Sequence, residues 1–414
     1  MMARPPGNLL TALDIGSSKV ATLIARPNAE GQLEIVGSGQ RESRGVKRGY
    51  IVDMAEAETA VRETVDLAER TSGLAIEDVF AGFAAGGLMS DVANVEIEIG
   101  GMEVEDGDIA ALLEAGHGAL EREGQVVLHA QPALYTLDGV TGVVNPRGLH
   151  AERLGVAIHV IAADKAPFRN LDTIIRSAHL GVGAIVAGPM AAARACLSKD
   201  ERELGVAMIE LGADVTTVSL WIGGMLAGLR TIPLGARDIS EDIAMAFGVS
   251  RRDAERMKCF HGSANQSPSD NHERIDATIG GAGEAARLTR AQLVSVIRQR
   301  LDELAGEIDE ALRALGFSGP AKRQVVITGG GADLKNIDDY LQGVLGHRVR
   351  IGRPKRLKGL PEAQAGPGFS TLVGLLMIAH EDGLGGQADM AAAGARRRRG
   401  QGLVGRLIAA LKGD

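Results

Sequence analysis

Apolar and polar positions along the chain fall into two rhythms. From Leu9 to Ala25 the chain is mostly apolar and turns at Gly16-Ser17-Ser18, which reads as strand, tight turn, strand. Leu33 to Ser38 continues as a strand. Between Asp53 and Arg70, apolar residues recur at Ala57, Ala60, Val61, Val65 and Ala68, the spacing of a helix with one buried face. Val79 to Ala84 reads as a buried strand. Val92 to Ile99 alternates apolar and acidic residues, the signature of a half-exposed strand. Asp106 to Arg122 is helical, and Gln125 to Leu137 and Leu154 to Ala162 are strands. The turn-rich stretch Val144 to Leu149 lies between those two strands. Asp172 to Leu180 is expected to be a helix, with Gly181 to Ala193 leading on to a second hairpin.

That hairpin runs from Ile209 to Trp221 and repeats the first: apolar run, acidic residue, a Gly in the turn, apolar run. Beyond it, Ile239 to Phe247 is helical and Gly262 to Glu284 is a polar, Gly-rich loop or hairpin. Thr289 to Leu315 is a long amphipathic helix behind a Thr N-cap. Gln324 to Thr328 is a strand followed by Gly329-Gly330-Gly331. Asn336 to Gly343 and Phe369 to His380 are helices. The fold class is α/β, with two lobes.

Composition narrows the function. A chain of 414 residues with 45% hydrophobic content has ample core for several domains. The net charge of −8 and an aromatic content of 3% argue against a nucleic-acid partner. Cys196 and Cys259, far apart in sequence, suit a reducing compartment. Met1 to Asn8 lacks a signal-peptide pattern, and no long uncharged apolar segment suggests a membrane span. The expected location is the cytoplasm.

The repeated hairpin carries the candidate chemistry. Small residues such as Gly16, Ser17 and Ser18 leave backbone N–H groups open to phosphate. Lys19 can reach a phosphate as a point charge, and Asp14 can hold Mg²⁺ through water. In the second copy, Glu210 is the candidate to orient Mg²⁺ or an attacking water, beside Gly212, Ala213 and Asp214. Gly329, Gly330 and Gly331 after a buried strand allow backbone to approach a base or ribose. Glu255 and Lys258 share a helical face, a spacing that suits a ribose hydroxyl and an adenine or an ordinary surface ion pair. Facing hairpins of this kind hold a nucleotide between two lobes, so ATP with Mg²⁺ is the expected ligand.

The tail is a separate signal. Gly383 to Gln401 is Gly/Ala-rich and ends in four arginines, Arg396 to Arg399, so a flexible linker is expected. Leu403, Val404, Leu407, Ile408 and Leu411 then line one helical face, with Arg406 and Lys412 off it. This pattern suits an interfacial helix on anionic lipid, with each nearby basic residue adding on the order of 1 kcal/mol. So short a helix binds weakly alone, and firm attachment calls for many tails in one polymer.

Together these features resemble the FtsA family, membrane-tethered actin homologues of bacterial division. The phrases that carry the resemblance are Leu13-Asp14-Ile15-Gly16-Ser17-Ser18-Lys19-Val20, Asn145-Pro146-Arg147-Gly148-Leu149, Asp200 to Val206, Asp253 to Gly262 and Ile327-Thr328-Gly329-Gly330-Gly331. The resemblance implies the actin/Hsp70/hexokinase fold, with ATP in the interlobe cleft and Glu255 and Lys258 at the ribose and adenine. It implies a first lobe of 8–85, 166–202 and 369–384, with phosphate loop 1, and an inserted α+β subdomain, 86–165, making polymer contacts. A second lobe of 203–238 and 321–368 carries phosphate loop 2 and the adenosine motif. By the same resemblance its subdomain, 239–320, is expected to bind the C-terminal tail of the tubulin homologue FtsZ. A basic linker, 385–401, and a membrane helix, 402–414, complete the chain. The implied site of action is the cytoplasmic face of the inner membrane at the division septum, among other division proteins.

One stretch departs from the family pattern Asp-x-Gly-Gly-Gly-Thr. Here Glu210 replaces the Asp, Asp214 stands where a Gly belongs, and Val215 replaces the hydroxyl. A carboxylate at 214 is expected to hinder and repel a phosphate, giving nucleotide binding with slow or absent hydrolysis. A sugar or acetate kinase of the same fold is the enzyme alternative, but no acceptor base is evident. A pilus-assembly actin homologue is the third reading, and it should lack the linker and terminal helix.

Overall fold

The computed structural model describes residues 9–84, 87–120, 123–143, 145–279, 284–317 and 324–392. The first hairpin is β1 (Leu10–Ile15) and β2 (Lys19–Pro27), extended by β3 (Leu33–Glu42). A short ribbon, β4 (Val46–Lys47) and β5 (Tyr50–Ile51), leads into α1 (Met54–Ser72), and β6 (Asp78–Phe83) returns parallel to β1. The predicted stripe on α1 is the buried one, Ala57, Ala60, Val61, Val65 and Ala68. Asp53 caps its N-terminus by accepting from the Glu56 N–H, and Gly73 ends it in a left-handed conformation.

A small subdomain follows. β7 (Met89–Glu98), α2 (Asp106–Leu120), β8 (Gln125–Leu137), β9 (Val140–Val143) and β10 (Arg153–Asp164) build a sheet in the order β7-β10-β8-β9. The alternating segment is β7, whose Ala93, Val95 and Ile97 pack on the subdomain core while Glu96 and Glu98 on the other face are exposed. The chain then re-enters the first lobe through α3 (Lys165–Ser177), β11 (Gly181–Ala187) and α4 (Gly188–Cys196), and α5 (Lys199–Leu204) leads out of it.

In the second lobe, β12 (Val206–Leu211), β13 (Thr216–Ile222) and β14 (Met225–Ile232) form an antiparallel set. α6 (Ala236–Phe247), α7 (Arg251–His261), the hairpin of β15 (Arg274–Ile279) and β16 (Glu284–Thr289), and α8 (Arg290–Ala314) follow. β17 (Gln324–Thr328), α9 (Ile337–Leu345) and β18 (Arg348–Ile351) close that lobe's sheet, and α10 (Ser370–Ala392) returns to the first lobe. Among the described residues the two main sheets share one topology. β3-β2-β1-β6-β11 and β14-β13-β12-β17-β18 each join three antiparallel strands to two parallel ones. The chain has repeated a whole sheet, with one copy of the hairpin motif in each.

Three boundaries differ from expectation. The helix expected at Asp172 to Leu180 spans Lys165–Ser177 instead. Pro167 is tolerated because it sits in the first turn, where its missing N–H leaves no bond unmade, and the positive φ of His179 (64°) stops the helix before Leu180. α4 was expected as connecting chain; its Gly188-Pro189 opening reads as a turn, and its Ala-rich body is buried on several faces. The last helix reaches Ala392, so the start of the expected 385–401 linker is helical. Residues 393–414, including the expected membrane residues Leu403 to Lys412, lie outside the described residues.

The second lobe's core is gathered by α8, whose Leu293, Ile297, Leu301, Leu304 and Ile308 are buried at helical spacing. Each such side chain contributes about 1.5–3 kcal/mol. The expected N-cap holds: Thr289 and Gln292 form a reciprocal capping box.

Candidate nucleotide site

The two sheets present their hairpin turns to one cleft of about 1370 Å³, walled also by the glycine loop after β17 and by the start of α6. The turns close identically. Gly16 N–H donates to the Lys19 carbonyl at 3.0 Å, and Gly212 N–H donates to the Val215 carbonyl at 3.0 Å. Asp14 is therefore matched by Glu210, Ser17 by Ala213, Ser18 by Asp214 and Lys19 by Val215. All of the phosphate-loop candidates, Asp14, Gly16, Ser17, Ser18, Lys19, Glu210, Gly212, Ala213 and Asp214, line the cleft.

The floor is acidic. The Thr371 hydroxyl, near the start of α10, donates to Glu210 Oε1 at 2.6 Å. Burial pushes the Glu210 carboxyl up to about 7; the neighbouring Asp14 charge adds to this, and the Thr371 bond opposes it. Burial likewise raises Asp14, against the pull of Lys19. Two carboxyls from opposite lobes, both shifted above their ordinary range by burial, suit a hydrated divalent cation, which favours their charged forms. Among the described residues no cluster of three or more acidic, His or Cys side chains forms a closed metal cage.

Lys19 does not stand free. Its Nζ donates to the Gly368 carbonyl at 2.7 Å and lies 4.2 Å from the centre of the Phe369 ring. Burial lowers its pKa, with Asp14 and Asp333 opposing. Asp214 departs from expectation as well. Its carboxylate is 7% exposed and engaged, pairing with the Arg237 guanidinium at 2.9 Å and accepting the Arg48 N–H at 2.9 Å. The repulsion expected of it is offset by that pairing.

The glycine run is brought to the second hairpin, with Gly329 at φ 85°. A Cβ there would lie 2.4 Å from the Leu211 carbonyl oxygen, so only glycine permits the approach. Gly330 faces open space and Gly331 packs on Leu211 and Ala236. Behind the loop, the Thr328 hydroxyl bonds to the Gly352 carbonyl at 3.0 Å and to Ser370 Oγ at 2.7 Å. Opposite it, Glu255 and Lys258 form their pair at 2.8 Å, and Lys258 Nζ also donates to the Ala236 carbonyl at 2.7 Å. The Ser240 hydroxyl holds Glu255 from α6. Lysine pairing and these hydrogen bonds hold Glu255 below the usual carboxylate range, although burial acts first and in the opposite direction.

Sequence reasoning missed Arg237, Ser240 and Thr371, which line this cleft, and Arg48, which braces Asp214 beside it. The start of a helix a few residues beyond the second hairpin's third strand was a usable signal for Arg237. Nothing in spacing marks Arg48, which reaches the second lobe from the ribbon turn between β4 and β5.

Comparison with known proteins agrees with this architecture. A model described as "Cell division protein FtsA" matches residues 207–374, and one described as "SHS2 domain inserted in FTSA" matches residues 86–162. The chain is 37% identical over 384 residues to the cell division protein FtsA of Rhizobium meliloti, covering 89% of this chain and 87% of the relative. It is 29% identical over 389 residues to that of Escherichia coli, covering 92% and 93%. Among solved structures, the PilM-PilN type IV pilus biogenesis complex aligns with a TM-score of 0.63 at 17% identity, covering 90% of this chain and 98% of the other. MreB5 of Spiroplasma citri bound to ADP aligns at 0.56 and 13%, covering 94% and 100%. These two likenesses establish an actin-like fold. From the family models and the extent of the sequence identity, the chain belongs to the FtsA family of bacterial cell-division proteins.

Proposed function

We infer that this cell-division protein binds Mg²⁺-ATP between its lobes, polymerises on the inner membrane and tethers the FtsZ ring there. Nucleotide binding rests on one observation: two hairpin turns of identical closure line a single cleft with the Gly329–Gly331 loop. ADP and AMPPNP are bound by MreB5 of the same fold. Phosphates lie between the turns at Gly16–Ser18 and Gly212–Asp214, and adenosine lies between Gly329–Gly331 and the Glu255–Lys258 pair. Asp14 and Glu210 hold Mg²⁺ through its waters; the ion, when bound, offsets phosphate charge. Glu210 is the one candidate for a catalytic role. One of its carboxyl oxygens is tied to the Thr371 hydroxyl, and the second turn carries Asp214 and Val215 where the family pattern has a glycine and a hydroxyl, so hydrolysis is slow, well under ~1 s⁻¹.

The tether is helix 402–414, supported by its apolar stripe and the preceding arginines. The subdomain 239–320 takes the FtsZ tail, and the insert 86–165 supplies polymer contacts. Co-sedimentation with anionic liposomes tests the tether: the full chain pellets, and a chain ending at Gln401 stays in solution. Equal pelleting of both defeats the membrane reading. Failure of an FtsZ-tail peptide to capture the full chain defeats the partner assignment and favours a tether for another machine.

A further inference from the structure

The cleft holds a bridge that the family motif does not foresee. Arg237, in the first turn of α6, is fixed from both sides. Its own N–H donates to the Ala213 carbonyl at 2.7 Å, and the Ala236 N–H donates to the Gly212 carbonyl at 2.9 Å, so the helix start is docked on the second turn. The guanidinium pairs with Asp214, and its Nη2 donates to the Ser17 carbonyl on the first turn at 2.6 Å. It thus spans the gap between the two phosphate-loop turns. With its side chain 37% exposed, it lines the cleft.

Arg48 braces the same point. At φ 51° it presents its N–H to Asp214, while its guanidinium donates to the Pro233 carbonyl at 2.6 Å. The adjoining Gly49 N–H donates to Ser17 Oγ at 3.0 Å. The carboxylate in the second turn is thereby paired on both sides, and it holds one edge of a guanidinium whose other edge rests on a neutral carbonyl.

We propose that Arg237 is a ligand of the terminal phosphate of a nucleoside triphosphate and that Asp214 is its positioning residue. The proposal rests on the nucleotide-binding reading above. A guanidinium bond to a phosphate oxygen pairs opposite charges where the bond to Ser17 has a charge on one side only, and the planar fork matches phosphate oxygens. An incoming triphosphate therefore takes Arg237 from the Ser17 carbonyl while Asp214 keeps the fork aimed. A diphosphate, one phosphate shorter, leaves Arg237 on Ser17. The second turn thus distinguishes triphosphate from diphosphate through a borrowed cation.

The test is calorimetric titration of the full chain with Mg²⁺-ATP and with Mg²⁺-ADP. Arg237→Ala is expected to weaken ATP on the order of 10- to 100-fold, the loss of a charged hydrogen-bonding partner, and to change ADP only a few-fold. Arg237→Lys, which keeps the charge and loses the fork, also lowers the ATP/ADP ratio and serves if the alanine variant does not fold. Asp214→Ala gives a test of sign. A positioning role predicts weaker ATP binding, whereas plain repulsion by the carboxylate predicts tighter binding. An unchanged ATP/ADP ratio in both Arg237 variants, or tighter ATP binding in Asp214→Ala, overturns the proposal. A wild-type chain that binds neither nucleotide overturns the nucleotide reading and this proposal with it, which is distinguishable from a wild-type chain that binds both.

Discussion

Glu210→Gln should stabilise the nucleotide-free protein, and only at neutral and alkaline pH. Unfolded, Glu210 ionises near its ordinary 4.5; folded, burial delays ionisation to about 7. Between those values the folded state binds the extra proton, so the carboxyl's contribution falls as pH rises through the window and is fully lost above it. A shift of about 2.5 units at ~1.4 kcal/mol each amounts to at most about 3 kcal/mol. Glutamine cannot ionise, yet its Oε1 still accepts the Thr371 hydroxyl in the place Glu210 Oε1 now holds. The variant should therefore match wild type near pH 4 and exceed it by up to about 3 kcal/mol above roughly pH 7.5, a Tm gain of several degrees at ~2–4 °C per kcal/mol for a lobe-sized unit.

The difference between the two proteins is the quantity to measure, because wild type alone conceals it. His129, whose Nε2 accepts the Ala187 N–H at 3.2 Å, is pushed down by burial from 6.5 to about 4, with His159 adding to the shift. Its folded state binds fewer protons across that window, so its contribution is complete above 6.5 and is lost as pH falls towards 4. The two slopes oppose each other and nearly cancel in wild type, but the His129 slope drops out of the difference. Thermal melts of both proteins without nucleotide at several pH values between about 5 and about 8.5 supply it. A Glu210→Gln gain of the same size at both ends would refute the reasoning.

Two further substitutions probe the packing around the start of α10. Gly374→Ala places a Cβ 1.8 Å from the Ala191 carbonyl oxygen where α10 crosses α4, and every near atom is backbone, so the helices must part. A loss of about 3 kcal/mol or more is expected as a lowered melting temperature, and an unchanged Tm would contradict this crossing. Thr328→Val keeps the shape but removes the hydroxyl bonded to Gly352, Pro367 and Ser370. The expected cost is about 1–3 kcal/mol in urea unfolding, and a change below ~0.5 kcal/mol would show that the buried cluster carries little stability.

Much of this fold was legible because its strongest signals are local. Hairpin turns, the α1 stripe and the Thr289 cap each depend on residues within a few positions of one another. α4 and the far end of α10 were not. Ala191, Ala192, Ala193 and Ala195 of α4 are all buried, so that helix lacks the one-sided pattern that marks a helix, and Gly383, Gly385 and Gly386 read as linker ahead of the far end of α10. The site divided along the same line. Residues of the turns could be named from sequence because a phosphate loop is a contiguous segment. Arg237 is 220 positions from Ser17, and Arg48 is 166 from Asp214. Those distances are closed only by the packing of two sheets that sequence spacing cannot place.

Asp214 shows what a motif comparison misjudges. Taken alone, it is an anion set where the first turn carries an uncharged Ser18, and Val215 lacks the cation that Lys19 supplies. With Arg237 docked on the same turn, the formal charge there returns to zero, and the guanidinium is held at the cleft rather than at the end of a free side chain. The cation of the first turn is meanwhile committed to Gly368 and Phe369. Both cations thus rest on neutral carbonyls, Lys19 on Gly368 and Arg237 on Ser17, and the apparently eroded second turn is not without a cation at the cleft. A loop's fitness for phosphate is a property of the assembled site, decided by charges that reach the turn from other elements.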